Sequence, residues 1–128
     1  MAKFVFVLFE GFDAQDVVGP YEVLQHIPNS EIVFAATRPG LVRNEHGKFA
    51  LQAEHDFDAL ATADLVLVPG GDGEAQARED RALLDGLRAA STRGAWVVSV
   101  CTGALVLGAA GLLQGKRAAT HWLAKQEL

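Results

Sequence analysis

The stretch Ala95-Trp-Val-Val-Ser-Val-Cys101-Thr-Gly-Ala-Leu-Val-Leu-Gly108 decides the fold. Residues 95–100 are mostly apolar and rich in valine, which is typical of a buried β-strand, whereas residues 102–108 predict the start of a helix. Cys101 lies between the two elements. The sequence therefore predicts a sharp strand-to-helix turn that places this thiol at the carboxyl edge of a sheet, where a nucleophile would stand.

Two interpretations of this cysteine are open on the local pattern. Backbone N–H groups at the start of the following helix, together with the helix dipole, favour a thiolate, so we expect the pKa of Cys101 to be lowered. The alternative is a packed thiol without chemistry, because free cysteines are among the most buried residues in proteins.

Composition limits what can surround this site. The chain has 128 residues, half of them hydrophobic, which predicts a single domain with a core of ordinary globular composition. A net charge of −5 with scattered Lys and Arg argues against nucleic acid as a partner. A single cysteine fits a reducing compartment, and no apolar run is long enough for a membrane span, so we expect a cytoplasmic protein.

Strand-like and helix-like segments alternate along the chain. Gly19-Pro20 interrupts a helical pattern in residues 13–27, which predicts a kinked helix or a turn followed by a helix. Buried strands alternating with helices predict a parallel sheet covered on both faces. The predicted strands are 4–9, 31–37, 64–68 and 95–100, with an amphipathic helix at 79–91 and a hairpin or arm outside the main sheet at 41–57.

Three predicted strand ends carry polar or glycine-rich chemistry. If the strands are neighbours, these groups converge on one pocket, because ligands bind outside the carboxyl ends of parallel strands. The groups are Glu10, Asp13 and Asp16 after the first strand, Gly70-Gly71-Asp72-Gly73 after the third, and Cys101 with Thr102 after the fourth.

Each candidate residue has a structural alternative. Asp16 is either an ordinary helix-start acid or, beside Val17 and Val18, a carboxyl that stays protonated and moves protons. Gly70 and Gly71 either make a turn or bring backbone N–H groups to a developing anion as an oxyanion hole. Thr102 either caps its helix or places a hydroxyl beside the sulfur.

The histidines and possible metal ligands in the sequence give weaker indications of function. We expect His26, His46 and His55 to be solvated, whereas His121, near the end of the chain, could approach the pocket. No His, Cys, Asp or Glu spacing is typical of a metal site, so we expect no metal.

Longer motifs carry a family resemblance. The segment from Ser99-Val-Cys101-Thr102 to Thr-His121-Trp122 resembles the nucleophile segment of the DJ-1/PfpI (ThiJ) superfamily. Asp16-Val-Val-Gly19-Pro20 and Leu67-Val-Pro-Gly70-Gly71 match further motifs in the same order. The resemblance implies a flavodoxin-like α/β sandwich with a mostly parallel sheet, helices on both faces and a nucleophile-elbow cysteine, generally in a homodimer.

Within that superfamily the chain is most similar to the isocyanide hydratase branch. The branch implies an enzyme that converts a small-molecule isocyanide to an N-substituted formamide without a cofactor. Cys101 would form a covalent thioimidate, Asp16 would move protons and activate water, and Gly71 and Thr102 N–H groups would stabilise charge. Thr102 departs from the Cys-His pair of the PfpI-type peptidases and argues against a protease.

Two other functions stay open. Members of the family continue beyond the His-Trp motif, whereas this sequence stops at Leu128, so we expect a single domain, 1–128, that is incomplete at its C-terminus. Similar domains serve as ligand-sensing halves of AraC-type transcriptional regulators. A lone reactive cysteine also fits the redox or glyoxalase-like chemistry found elsewhere in the superfamily.

Overall fold

The computed structural model describes residues 1–128 as an α/β fold around one parallel sheet. The sheet has the order β2-β1-β5-β6, and all three of its strand pairs are parallel. Counting only these four strands, the order is 2-1-3-4, the beginning of the flavodoxin-like order. The strands are β1 (Ala2–Val7), β2 (Ser30–Ala35), β5 (Leu65–Val68) and β6 (Trp96–Ser99). The predicted fold class is therefore confirmed.

Two strands form the hairpin that we predicted outside the main sheet. β3 (Gly40–Arg43) and β4 (Ala50–Ala53) pair in antiparallel fashion as a separate sheet. The helices are α1 (Ala14–Leu24), α2 (Glu74–Ala77), α3 (Arg81–Thr92) and α4 (Gly103–Ala109), with 3₁₀ helices at Phe57–Thr62 and Trp122–Glu127. None of the helices has the length and apolar character needed to span a membrane.

The two faces of the sheet bury separate cores, which explains why the strand sequences lack a polar–apolar alternation. On β1, Val5 and Val7 pack with α3, α4 and the first 3₁₀ helix, whereas Phe4 and Phe6 pack with α1 and the hairpin. Val5, Phe6 and Val7 are completely buried. Each such side chain contributes about 1.5–3 kcal/mol relative to an exposed position.

Helix α1 runs without a break through Gly19-Pro20, so the alternative of a turn followed by a helix is wrong. Pro20 lies inside the helix and has no N–H to donate to the carbonyl of Asp16, one turn earlier. The start of the helix is secured by Asp13, whose Oδ1 accepts a 2.9 Å hydrogen bond from the Gln15 N–H. This cap fixes Asp16 in the first turn of the helix.

Candidate active site

The loops after β1, β5 and β6 meet at the carboxyl edge of the sheet, as predicted. β5 lies between β1 and β6, so all three strand ends are neighbours. The Asp13 N–H donates to the Gly70 carbonyl at 2.8 Å, and the Gly73 N–H donates to the Gly11 carbonyl at 3.1 Å. These bonds join the loop that leads into α1 to the glycine-rich loop beside Cys101.

Cys101 forms the strand-to-helix turn with a left-handed backbone. Its φ is +55°, and the only other non-glycine residue with positive φ is Asn29. A left-handed conformation costs a residue with a side chain about 1–2 kcal/mol. The thiol is half-buried. Backbone strain of this kind clusters at functional turns.

The expected lowering of the cysteine pKa is wrong. Burial first, and then the charges of Asp16 and Asp13, raise the pKa of Cys101 above its ordinary value. The Thr102 backbone N–H and hydroxyl lower the pKa but do not outweigh those causes. The start of α4 is only one part of the environment of the thiol, because the segment after β1 brings two carboxyls to it. The surroundings of Cys101 therefore favour the protonated thiol over the thiolate.

Asp16 is held at this site by the glycine-rich loop. Its Oδ2 accepts a 3.0 Å hydrogen bond from the Gly70 N–H. Burial, with a smaller contribution from Asp13, raises the pKa of Asp16, and this outweighs the opposing effects of the Gly70 bond and His121. The direction of this shift agrees with a carboxyl drawn into an apolar site. Its role in moving protons stays a prediction.

Gly70 and Gly71 lie in contact with the nucleophile turn. A Cβ on Gly70 would stand 2.7 Å from the Thr102 nitrogen and 3.1 Å from the Cys101 Cβ, so only glycine allows this approach. Gly71 has a φ of +133°, which glycine adopts readily. Both N–H groups already have acceptors, Asp16 for Gly70 and the Thr102 hydroxyl for Gly71. An oxyanion would therefore compete with these acceptors for the two donors.

Thr102 does not cap its helix. No side-chain cap bond forms at the start of α4, and the Thr102 Oγ1 instead accepts a 3.1 Å hydrogen bond from the Gly71 N–H. The hydroxyl also lies close enough to lower the pKa of Cys101. Of the two alternatives for Thr102, the structure supports the hydroxyl beside the sulfur.

His121 approaches the site from the C-terminal segment without bonding to the thiol. Its Nδ1 accepts a 3.1 Å hydrogen bond from the Leu123 N–H, and its ring stacks on Trp122 with centroids 5.7 Å apart. It lies close enough to Asp16 to act on the pKa of that carboxyl. The Nδ1 atom of His121 is therefore already occupied by a hydrogen bond from the backbone.

Two residues that the sequence pattern did not indicate also contact the loops of the site. The Thr120 hydroxyl donates a 3.0 Å hydrogen bond to the Cys101 carbonyl, and Oε2 of Glu45 in the hairpin accepts one of 3.0 Å from the Asp72 N–H. Thr120 directly precedes His121 in the family motif, which was the available signal. Nothing in the local sequence indicated that Glu45 would reach the glycine-rich loop.

Other surfaces offer less chemistry. A cleft of about 510 Å³ at the ends of β1 and β2 is lined by Glu10, Arg38 and mainly apolar neighbours, and Cys101 does not line it. His26, His46 and His55 are exposed, as expected. No group of three or more His, Cys, Asp or Glu side chains is arranged to hold a metal ion. The reactive groups therefore concentrate at the cysteine turn.

Known proteins resemble the chain over almost its whole length. An isonitrile hydratase from Pseudomonas putida is 41% identical over 117 residues, which cover 91% of this chain and 51% of that protein. An uncharacterized protein in the cpoL 5′ region of Streptomyces lividans is 37% identical over 126 residues, covering 94% of this chain and 87% of that one. A shorter match, 48% identical over 50 residues, joins 39% of this chain to 19% of an HTH-type transcriptional regulator from Mycobacterium tuberculosis.

Structural comparison agrees with these matches. A ThiJ/PfpI family protein from Pseudomonas syringae superposes with a TM-score of 0.88 at 29% identity, over 94% of this chain and 50% of that one. The chain thus spans about half the length of this protein and of the isonitrile hydratase. The DJ-1/PfpI family model matches residues 2–128. The chain belongs to the DJ-1/PfpI family.

Proposed function

We propose that the protein is an isocyanide hydratase-like enzyme in which Cys101 is the nucleophile. The observation that carries the proposal is the strained turn at Cys101, next to an Asp16 carboxyl held by the same glycine-rich loop. The 41% identity to an isonitrile hydratase supports the same chemistry. Enzymes place nucleophile and proton carrier together because each alone is a weak catalyst.

The first step forms a carbon–sulfur bond. Asp16, as a carboxylate, takes the proton of the Cys101 thiol, and the sulfur attacks the terminal carbon of the isocyanide R–NC. Asp16 returns the proton to that carbon, which gives the thioimidate R–N=CH–S–Cys101. The raised pKa of Asp16 makes its carboxylate a stronger base towards the thiol proton, and the pKa of Cys101 is raised because burial and the nearby carboxyls disfavour its thiolate.

The second step consumes water. Asp16 takes a proton from a water molecule as the water oxygen attacks the thioimidate carbon, and Asp16 then passes this proton to the imine nitrogen. The tetrahedral adduct R–NH–CH(OH)–S–Cys101 then collapses: its hydroxyl proton passes to the sulfur and the carbon–sulfur bond breaks. The products are the formamide R–NH–CHO and the free thiol, so the net reaction adds one water and no cofactor takes part.

The charge around the thiol favours a neutral substrate. Asp13, Asp16, Glu45 and Asp72 surround the glycine-rich loop, and no arginine or lysine forms an ion pair with any of them. Isocyanides carry no net charge, whereas a carboxylate or phosphate substrate would be repelled. This distinction supports the hydratase over enzymes that act on anionic carbonyl compounds.

A turnover assay tests the proposal. The chain is incubated with a simple alkyl isocyanide, and formamide is followed by proton NMR. We expect formamide from the wild type and none above background from Cys101→Ala, with Glu79→Gln, an exposed surface change, as active control. Formamide from Cys101→Ala at the wild-type rate would remove the nucleophile from the mechanism.

A ligand sensor is the second candidate, because the local match to a transcriptional regulator favours it. In that case the domain would bind a small molecule and Cys101 would not be consumed or regenerated in a cycle. Calorimetric binding of an isocyanide with no formamide formed, and equal affinity in Cys101→Ala, would support the sensor. Tight binding that depends on Cys101 and ends in product would support the enzyme.

The assembly and location belong to the same proposal. We infer a homodimer, as is general in the family, and sedimentation velocity at several concentrations tests it. We also infer a cytoplasmic location, because a catalytic thiol must stay reduced to act. Fractionation of cells that express the tagged chain tests that inference.

A further inference from the structure

We propose that Thr120 is a positioning residue, whose hydroxyl fixes the peptide group between Cys101 and Thr102 in the orientation that the nucleophile requires. The inference rests on the proposed function only in taking Cys101 as the reactive group. Thr120 lies 19 residues beyond Cys101, and its hydroxyl donates a 3.0 Å hydrogen bond to the Cys101 carbonyl.

This carbonyl has no better partner. In a regular helix, a carbonyl accepts from the N–H four residues later. At Cys101 the backbone is left-handed, and the Leu105 N–H bonds to Thr102 instead. The remaining backbone donor, the Ala104 N–H, lies 3.5 Å away. The Thr120 hydroxyl therefore forms the shorter of the two hydrogen bonds to the Cys101 carbonyl oxygen.

The carbonyl and the neighbouring N–H move as one unit. A peptide group is planar, so the direction of the Cys101 C=O sets the direction of the Thr102 N–H on the opposite side. That N–H is the largest stabiliser of the charged sulfur. A hydroxyl that holds the oxygen thereby aims the N–H at the thiol, and donation to the oxygen polarises the N–H further.

The rest of the segment around Thr120 supplies no comparable contact. Ala118 and Ala119 are exposed, His121 turns its Nδ1 to the Leu123 N–H, and Thr120 itself is partly buried. Thr120 thus ties the C-terminal segment to the nucleophile turn at a defined atom. The hydrogen bond of the Thr120 side chain goes to the Cys101 carbonyl and not to the sulfur, so its effect passes through the peptide group.

The test measures the pH dependence of Cys101 alkylation by iodoacetamide, which needs no isocyanide. Thr120→Val keeps the shape of the side chain but removes its hydroxyl donor. In this variant we expect the midpoint of the alkylation-versus-pH curve to rise by about 0.5–1 pH unit, which corresponds to the free energy of one neutral hydrogen bond. Alkylation at neutral pH then slows by about three- to tenfold. Thr120→Ser should restore the wild-type profile, and Thr37→Val, an exposed threonine without a side-chain hydrogen bond, should leave it unchanged.

An unshifted midpoint in folded Thr120→Val would overturn the proposal, as would Thr120→Ser that behaves like Thr120→Val. If Thr120→Val does not fold by circular dichroism, Thr120→Ala replaces it with the same expectation. The wild type gives an independent test by NMR. The chemical shift of the Thr102 amide should change with pH at the midpoint of the Cys101 titration, and a shift that does not change there contradicts the proposal. Failure of isocyanide hydration would leave all these outcomes unaffected.

Discussion

The Gly70 N–H donates a hydrogen bond of 3.0 Å to Oδ2 of Asp16, across 54 residues of sequence. The bond ties the first turn of α1 to the loop after β5. Because Gly70 also packs against Cys101 and Thr102, one loop holds both the carboxyl and the thiol. The proposed proton exchange between Asp16 and Cys101 depends on this loop, because it holds both groups in place.

Asp16→Asn should separate nucleophile reactivity from turnover. Asparagine can accept the Gly70 hydrogen bond but carries no charge and moves no proton. After burial, the charge of Asp16 is the largest contribution that raises the pKa of Cys101, so its removal lowers that pKa. We expect faster alkylation by iodoacetamide at neutral pH, together with a loss of formamide production of about 100-fold or more. Parallel losses in both assays would contradict the proton role.

The same variant makes a prediction about stability. Burial raises the pKa of Asp16 above its ordinary value of 3.8, so the unfolded chain releases this proton more readily than the folded chain. Wild-type stability therefore falls as pH rises from 3.8 through the raised pKa, and the loss is complete above it. Asp16→Asn should be more stable than the wild type at pH 7, with the difference shrinking towards about pH 4. Urea unfolding at both pH values measures this, and a difference independent of pH would argue against a raised pKa.

Gly70→Ala should damage the site by sterics alone. The new Cβ would meet the Thr102 nitrogen at 2.7 Å, so backbone must shift. We expect a loss of about 1–3 kcal/mol in the free energy of unfolding and a sharp fall in Cys101 alkylation. Gly108→Ala in α4 is the matched control, because its Cβ would stand 3.8 Å from Leu113, an ordinary contact. Denaturation curves that are equal for the two variants would mean that the loop does not pack as described.

Asp13→Asn tests the electrostatic selectivity of the thiol. Asparagine still caps α1, and the change removes one of the charges that, after burial, raise the pKa of Cys101. Iodoacetate is anionic and iodoacetamide is neutral, so the rate with iodoacetate should gain more in the variant. Glu79→Gln removes an exposed charge outside the site and should change neither rate. Equal gains for both reagents would show that the acidic surroundings do not select among substrates.

The sheet was predictable because its strands are apolar on both faces. The run through Val5, Phe6 and Val7 has no alternation, and a strand buried on both sides requires none. The path of α1 through Pro20 was less predictable, because the sequence does not show that the helix continues despite the loss of one backbone hydrogen bond at this proline. The hairpin was predicted as a separate unit, but the contact of Glu45 with the Asp72 N–H depends on tertiary placement.

The sequence allowed us to predict which residues form the candidate site, but not the electrostatic effects that set the pKa of Cys101. Asp16, Gly70 and Thr102 follow strand ends or lie in the next helical turn, and neighbouring strands bring such positions together. The sequence predicts the wrong direction for the pKa of Cys101, because the helix start is visible in the sequence whereas the burial of the thiol and the carboxyls around it are not. Thr120 stands beside His121 in the family motif, but its acceptor, a main-chain carbonyl 19 residues earlier, cannot be identified from the local sequence.

The central claim is that Cys101 becomes covalently bonded to the isocyanide carbon. Rapid acid quench of the chain with excess alkyl isocyanide, followed by intact-mass and peptide mass spectrometry, tests it most directly. The account predicts a transient species heavier by the full mass of the isocyanide and located on Cys101. Steady formamide production by the wild type with no such adduct at any quench time would contradict it.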